Sequence, residues 1–232
     1  NPEIGSFFMA LGVKLLQGYG QTEASPVISA NRPGKIKIET VGPPVAGVEV
    51  RFADDGEILV RGDLLMKGYW RDDHSTAATI RDGWLYTGDI GNCDDDGYIT
   101  ITGRKKEIIV NSGGENIVPS RVEALLTIEP EIEQALVDGD RRPWLAAVIV
   151  PSAEARAAAA SDEALQLLIA ETVERANSRL SQIERVRRFV IADEGFTTEN
   201  SQLTATLKVR RHVVRAQYQD RLAALYTRGK QD

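Results

Sequence analysis

No apolar run in the 232 residues approaches the roughly 18 needed to cross a bilayer, and the first residues lack the basic, apolar, small-residue order of a secretory signal. Both absences lead to the expectation of a soluble, cytoplasmic protein. Cysteine occurs once, at Cys93, which excludes an internal disulfide framework and fits a reducing compartment. The two histidines, His74 and His212, are too few and too isolated for a metal site, and no Ser/His/Asp or Cys/His nucleophile set assembles around them. Positive charge is not in excess either. The 28 basic and 34 acidic residues leave a net charge of -6, which argues against the uniformly basic surface that nucleic acid requires. Any anion site must therefore be local. There is no internal repeat, and the one biased tract, "EARAAAAS" at 154 to 161, reads as a helix end or linker.

What is present is enough for a substantial core: 42% of the residues are hydrophobic, and the length allows one large domain or two small ones. The chain opens on Asn1-Pro2-Glu3, without an initiator methionine, and enters the apolar segment "IGSFFMALGVKLL" at once, so it reads as a piece of something longer. Residues 3 to 11 are expected to form a short helix burying Ile4, Phe8 and Leu11, and "VKLLQGYGQTE" a strand running into a glycine-punctuated loop. From Val41 to Thr102 the texture is of short β-branched runs and turns: "GVEVRFA", Asp54-Asp55-Gly56, "EILVRG", then "YITITG" after Asp95-Asp96-Gly97. After Arg104, strand candidates "EIIV", "QALVDG", "WLAAVIV" and "RRFVIA" alternate with helices predicted to begin near Pro119, Asp162 and Lys208. Leu165, Leu168, Ile169, Val173, Ala176 and Leu180 recur at helical spacing, as do Val214, Tyr218, Leu222 and Leu225, and both stripes are expected in the core. The best boundary lies at Gly103 to Lys106. It divides a β-rich part, 1 to 103, from an α+β part, 104 to 232.

Several short stretches have the residue types for chemistry, each with an ordinary explanation beside it. "GYGQTE" sets Gly18 and Gly20 around Tyr19, then an amide, a hydroxyl and a carboxylate at Gln21, Thr22 and Glu23. Such a loop suits an aromatic face on a base, a hydroxyl on a phosphate and a carboxylate on a divalent cation, or is simply a polar turn after a strand. Asp89, in "YTGDIG", follows a glycine turn and suits ribose hydroxyls, or is an Asx-turn. Arg104, leaving a strand, suits ribose or phosphate oxygens, or is a surface ion pair. In "NSGGEN", Gly113 and Gly114 offer unhindered backbone to an anion or a thin ligand, or form a turn. Lys208 follows a threonine-rich loop at the start of the final helix and is either a point charge for phosphate or a solvated lysine. Arg185, Arg187, Arg188, Arg210 and Arg211 form a basic cluster that either meets phosphates or is a solvated face.

Taken in order, "GYGQTE", "DGWLYTGDIG", "GRKKEIIVNSGGENIVP" and "LTATLKVRR", over residues 17 to 211, closely resemble the adenylate-forming enzymes, in particular their long-chain fatty acyl-CoA ligase branch. The resemblance implies an α+β fold: a β-rich, distorted barrel-like end of the large lobe, then a small mobile C-terminal lobe. It implies a fatty acid, ATP and CoA as substrates, with Mg²⁺. A carboxylate attacks the α-phosphate of ATP to give acyl-adenylate and pyrophosphate, and the CoA thiol then displaces AMP. Tyr19 would stack on adenine within the Gly20 and Gln21 loop, Thr22 would bond phosphate and Glu23 would hold Mg²⁺. Asp89 would take the ribose hydroxyls with help from Arg104, and Lys208 would be the adenylation lysine. Lys106 would be the hinge of a swing that brings Gly113 and Gly114 to the CoA entry path. A lysine at the hinge matches the fatty acyl branch, whereas aspartate is common elsewhere.

One departure outweighs the others: the family's Ser/Thr/Gly-rich phosphate loop ending in a lysine-glycine pair has no counterpart in these residues, nor does most of the large lobe. The chain alone is therefore expected to be inactive. Two alternatives stay open, a non-catalytic nucleotide or acyl-CoA binding protein, and an adenylating domain serving a carrier protein. A lipophilic substrate leaves a peripheral membrane contact open, although no amphipathic basic helix demands one. Oligomeric state and chain-length preference have no signature in the sequence.

Overall fold

The computed structural model describes residues 2 to 227. The chain divides into two compact units, Asn1–Lys106 and Glu107–Asp232, each an assembly of helices and sheet, so that the class is α+β.

The first unit begins with α1 (Pro2–Ala10), then β1 (Gly18–Tyr19) and β2 (Ser29–Ala30), an antiparallel pair with a 3-10 turn, Thr22–Ala24, between them. Its main body is an antiparallel sheet of β3 (Glu49–Phe52), β4 (Glu57–Arg61), β5 (Ile80–Arg81), β6 (Trp84–Cys93) and β7 (Ile99–Arg104). β6, with ten residues, is longer than any of its neighbours. One of its edges pairs with β4, while the other is shared, Trp84 and Leu85 facing β5 and Asp89 to Cys93 facing β7, so the sheet curls around it. The β5 to β6 reversal needs two residues, Asp82 and Gly83, both at positive φ (50° and 78°), the left-handed pair that matches the twist of a tight hairpin. Ile58, Val60, Leu85 and Ile99 point into a core completed by Ala24 and Ile28. A helix, α2 (Asp73–Thr79), interrupts the strands; Asp72 caps it by accepting from the Ser75 amide.

The second unit starts with a small hairpin, β8 (Ile109–Val110) and β9 (Asn116–Ile117), and α3 (Pro119–Leu126), whose proline takes the first helical position, where no amide donor is needed. Then come β10 (Ile132–Asp138), β11 (Leu145–Pro151), α4 (Ala153–Ala158), α5 (Asp162–Asn177), β12 (Val186–Ile191) and α6 (Arg211–Thr227). β11 lies between β10, antiparallel, and β12, parallel, and the parallel connection runs through α4 and α5. All seven residues of β11 are buried because both faces are covered. Leu145, Ala147 and Ile149 pack toward α3 and α5, and Ala146, Val148 and Val150 toward α6. Each fully buried Ile or Val here contributes about 1.5 to 3 kcal/mol. α5 starts where Ser161 accepts from the Ala164 amide, with Asp162 and Glu163 favourably placed against the helix dipole.

The two helical stripes are core, as their spacing requires, with Leu168 and Leu225 partly buried at the margins. Other expectations are corrected. Ile4, Phe8 and Leu11 are exposed, with Phe7, Val13 and Leu16, because among the described residues nothing packs over that face. The "VKLLQGYGQTE" strand shrinks to two residues. The final helix starts at Arg211 rather than Lys208, since a tight turn holds 204 to 208. "EARAAAAS" supplies most of α4, whose cap is Ser152. Among the described residues no helix is long and apolar enough to cross a membrane.

Candidate functional site

The first unit gathers Tyr19, Asp89 and Arg104. Asp89 does not follow a free-standing turn; it sits within β6, at a bulge. On β4 the step from Leu59 to Glu57 is two residues, while its partner step on β6, from Tyr86 to Ile90, is four. The extra length is absorbed at Thr87 and Gly88, the latter at φ 71°, a conformation that favours glycine. Thr87 locks the bulge: its hydroxyl donates to the Ile58 carbonyl at 2.7 Å and accepts from the Asp89 amide at 3.1 Å.

The bulge aims a nearly buried carboxylate, 3% exposed, between a hydroxyl and a cation. The Tyr19 hydroxyl donates to Asp89 Oδ2 at 2.6 Å, and Arg104 forms an ion pair with the same carboxylate, Nε to Oδ1 2.9 Å. Arg104 is also the register partner of Asp89 on β7. Burial, and then the bond to Asp89, push the Tyr19 phenol well above its ordinary value, so the hydroxyl stays a donor. An ionised carboxylate has about four acceptor positions; here the Tyr19 hydroxyl takes one and the Arg104 cation stands against a second. Two remain for a pair of neighbouring hydroxyls.

Beyond Tyr19 the chain turns so tightly that a Cβ on Gly20 would lie 1.6 Å from the Pro26 carbonyl oxygen, which is why this position has no side chain. Gln21 follows with a buried, unpartnered side-chain nitrogen, and Thr22, exposed, opens the 3-10 turn. Glu23 is held from two sides: its carbonyl accepts from the Met66 amide at 2.8 Å and its Oε1 from the Tyr69 hydroxyl at 2.8 Å. Among the described residues Oε2 takes no hydrogen bond. A half-buried carboxylate with one fixed and one open oxygen fits Mg²⁺, which is commonly held by one or two carboxylates, waters and substrate phosphates. Beside it Lys67, Gly68, Tyr69, Trp70, Arg71, Asp73 and Thr76 line a cavity of about 280 Å³.

Gly113, Gly114 and Lys208 belong to the second unit. The glycines form the exposed tip of the β8 to β9 hairpin, shaped by Asn111, whose Oδ1 accepts from the Gly113 and Glu115 amides at 2.9 and 3.0 Å. Gly114 is at φ 82° with open space where a side chain would be. Lys208 rides an exposed turn in which the Thr204 amide donates to the Lys208 carbonyl and the Lys208 amide to the Thr204 hydroxyl. Lys106 is exposed at the end of the first unit. The basic cluster is not one open face: Arg187 and Arg188 are exposed on β12, but Arg211 is paired with Glu107 and Glu123.

Three residues at the site escaped the sequence reading. Tyr69, in "KGYWR", orients Glu23; Glu57 and Lys105 stand behind Asp89 and Arg104. Only the adjacency of Lys105 to Arg104 hinted at the last.

The second unit matches the model of the AMP-binding enzyme C-terminal domain over residues 106 to 230, and residues 1 to 70 match that of the AMP-binding enzyme. A long-chain-fatty-acid–CoA ligase of Mycobacterium bovis is 41% identical over 97% of the chain and 40% of its own length. A chloroplastic long-chain-fatty-acid–[acyl-carrier-protein] ligase of Arabidopsis thaliana is 33% identical over 97% of the chain and 34% of its own. The chain thus spans well under half the length of these relatives. The A domain of a carboxylic acid reductase from Segniliparus rugosus, solved with AMP and a co-purified carboxylic acid, superposes with a TM-score of 0.85 at 28% identity, over 98% of this chain and 38% of that one.

Proposed function

From the premise that the chain belongs to the AMP-binding, adenylate-forming enzymes, we propose that it carries the nucleotide-ribose and C-terminal parts of an ATP-dependent long-chain acyl-CoA ligase. The observation that carries this reading is the buried Asp89 carboxylate, fixed by Tyr19 and Arg104 with two acceptor positions to spare.

In this reading the ribose hydroxyls donate to Asp89, Arg104 supports the same ring, and the Tyr19 face, oriented by its hydroxyl, stacks on adenine within the Gly20 and Gln21 loop. The Thr22 hydroxyl donates to a phosphate oxygen. Glu23, oriented by Tyr69, would hold Mg²⁺, which supplies neutralisation of phosphate charge. A fatty acid carboxylate oxygen bonds to the α-phosphorus as the bond to pyrophosphate breaks, and Lys208 would place a cation against the charge that develops there. A thiol then bonds to the acyl carbon and AMP leaves. Positioning and charge supply most of the rate enhancement, so one set of residues can serve both steps. Lys106 is the proposed pivot between them, and Gly113 and Gly114 leave a thin path for the CoA arm. In this reading the phosphate loop lies outside the 232 residues, and turnover requires it. We place the enzyme in the cytoplasm, with a peripheral membrane contact in reach of its lipophilic substrate.

The identity to an acyl-carrier-protein ligase favours a second reading, in which the acceptor thiol belongs to a carrier protein. Thioester formation with CoA or with a carrier separates the two. The test is made in an enzyme that joins these residues to a phosphate loop. There Lys208→Ala is expected to slow fatty-acid-dependent ATP–pyrophosphate exchange about a hundredfold, the loss of one charge on the transferring phosphate. Thioester formation from supplied acyl-adenylate should change little. Equal loss in both half-reactions would contradict the role.

A further inference from the structure

Glu57 is a buried carboxylate, its side chain 7% exposed, that the proposed chemistry does not use. Burying such a charge is costly unless its oxygens are paired, and both are. Oε1 accepts from the Gly88 amide at 2.9 Å, and Oε2 from the Lys105 ammonium at 2.8 Å. Lys105 also reaches Asp55 Oδ2 at 2.5 Å, and the two acids raise its pKa, Asp55 first.

The placement of these partners is the informative point. Gly88 immediately precedes Asp89, and Lys105 immediately follows Arg104. Glu57 therefore holds the backbone amide next to Asp89 and the side-chain ammonium next to Arg104. Gly88 needs its left-handed bulge conformation held, because nothing lies where its side chain would be and no packing fixes it. Arg104 is 56% exposed, so its guanidinium is not held by burial. We infer that Glu57 is a positioning residue for the nucleotide ribose, clamping Asp89 through Gly88 and Arg104 through Lys105. The inference rests on the reading of Asp89 as the ribose acceptor.

Glu57→Gln keeps an acceptor for Gly88 but turns an amide donor toward the Lys105 ammonium, breaking one arm of the clamp. The ¹⁵N-labelled 232-residue chain is titrated with AMP and with 2′,3′-dideoxy-AMP, followed by amide shifts. The native chain should prefer AMP about tenfold, as two hydroxyl hydrogen bonds to a carboxylate require, and Asp89→Asn should abolish the preference. Glu57→Gln should cut it about fivefold, with the Arg104 Nε–H signal shifting as the guanidinium leaves its place beside Asp89. Removing both partners, in Glu57→Gln with Lys105→Met, should restore thermal stability without restoring the preference. A preference that follows stability through these variants, or one that is untouched by Glu57→Gln, overturns the clamp. Absence of any preference in the native chain would refute the ribose reading instead. The Arg104 signal then decides the inference without ligand: a shift in Glu57→Gln supports the clamp, and an unchanged signal overturns it.

Discussion

Replacing Tyr19 by phenylalanine removes one hydroxyl and leaves the ring that would face adenine. The lost bond is the 2.6 Å donation to Asp89 Oδ2, on a carboxylate that is 3% exposed. A charge-assisted hydrogen bond of this kind is worth about 1.5 to 3 kcal/mol, and its partner is left buried and unpaired on that side. Phenylalanine recovers part of this, because the phenol no longer has to be desolvated, and a net cost of about 2 kcal/mol remains. The damage should stay within the first unit. Native-state hydrogen exchange reads both units at once: the amides of Ile58 and Leu85 should exchange about 30-fold faster, the equivalent of 2 kcal/mol, while those of Val148 and Ile149 keep their rates. Unchanged exchange at Ile58 and Leu85 would mean that the hydroxyl does not hold Asp89. Equal acceleration at Val148 and Ile149 would mean that the units open together, and the local reasoning would fail.

Gly20→Ala sets a methyl against the Pro26 carbonyl oxygen, backbone on backbone, and should destabilise the first unit by about 3 kcal/mol or displace the Tyr19 loop; an unfolding midpoint and Tyr19 shifts like those of the native chain would show the loop to be soft. Acid should weaken the first unit through Asp55, Asp94 and Glu49, whose pKa values are lowered by hydrogen bonds from Lys105, Lys37 and Arg61. Their contribution is present above the unfolded pKa, near 4, and is lost as pH falls through the lowered folded values. Denaturant titrations at pH 6 and pH 3 should therefore differ less in Lys105→Met than in the native chain, and an equal difference would remove Lys105 from the account. Limited proteolysis should trim the exposed apolar segment of Ile4, Phe7, Phe8 and Leu11 first and proceed toward Gly103, leaving the second unit resistant; early cuts within β10 to β12 would contradict this order.

Periodicity and motif order are local properties, and they were legible in the chain. The i, i+3 and i+4 stripe of α5 and the unbroken apolar run of β11 each name their own burial, because a helix face or a two-sided strand is set by neighbours a few residues apart. The four ordered motifs named the family in the same way. What only the tertiary structure decided are pairings across long separations: Tyr19 with Asp89 over 70 residues, Glu23 with Tyr69 over 46, and Lys105 with Glu57 over 48. None has a sequence period, since each depends on which strands lie side by side and in which register. The bulge that turns Asp89 between Tyr19 and Arg104 exists only because β4 and β6 pair with unequal steps, and Glu57 acquires its Gly88 partner from that same mismatch. The exposed face of α1 makes the converse point. Its residues have the spacing of a buried helix, but burial is a property of what packs over a face, and that is settled by tertiary contacts.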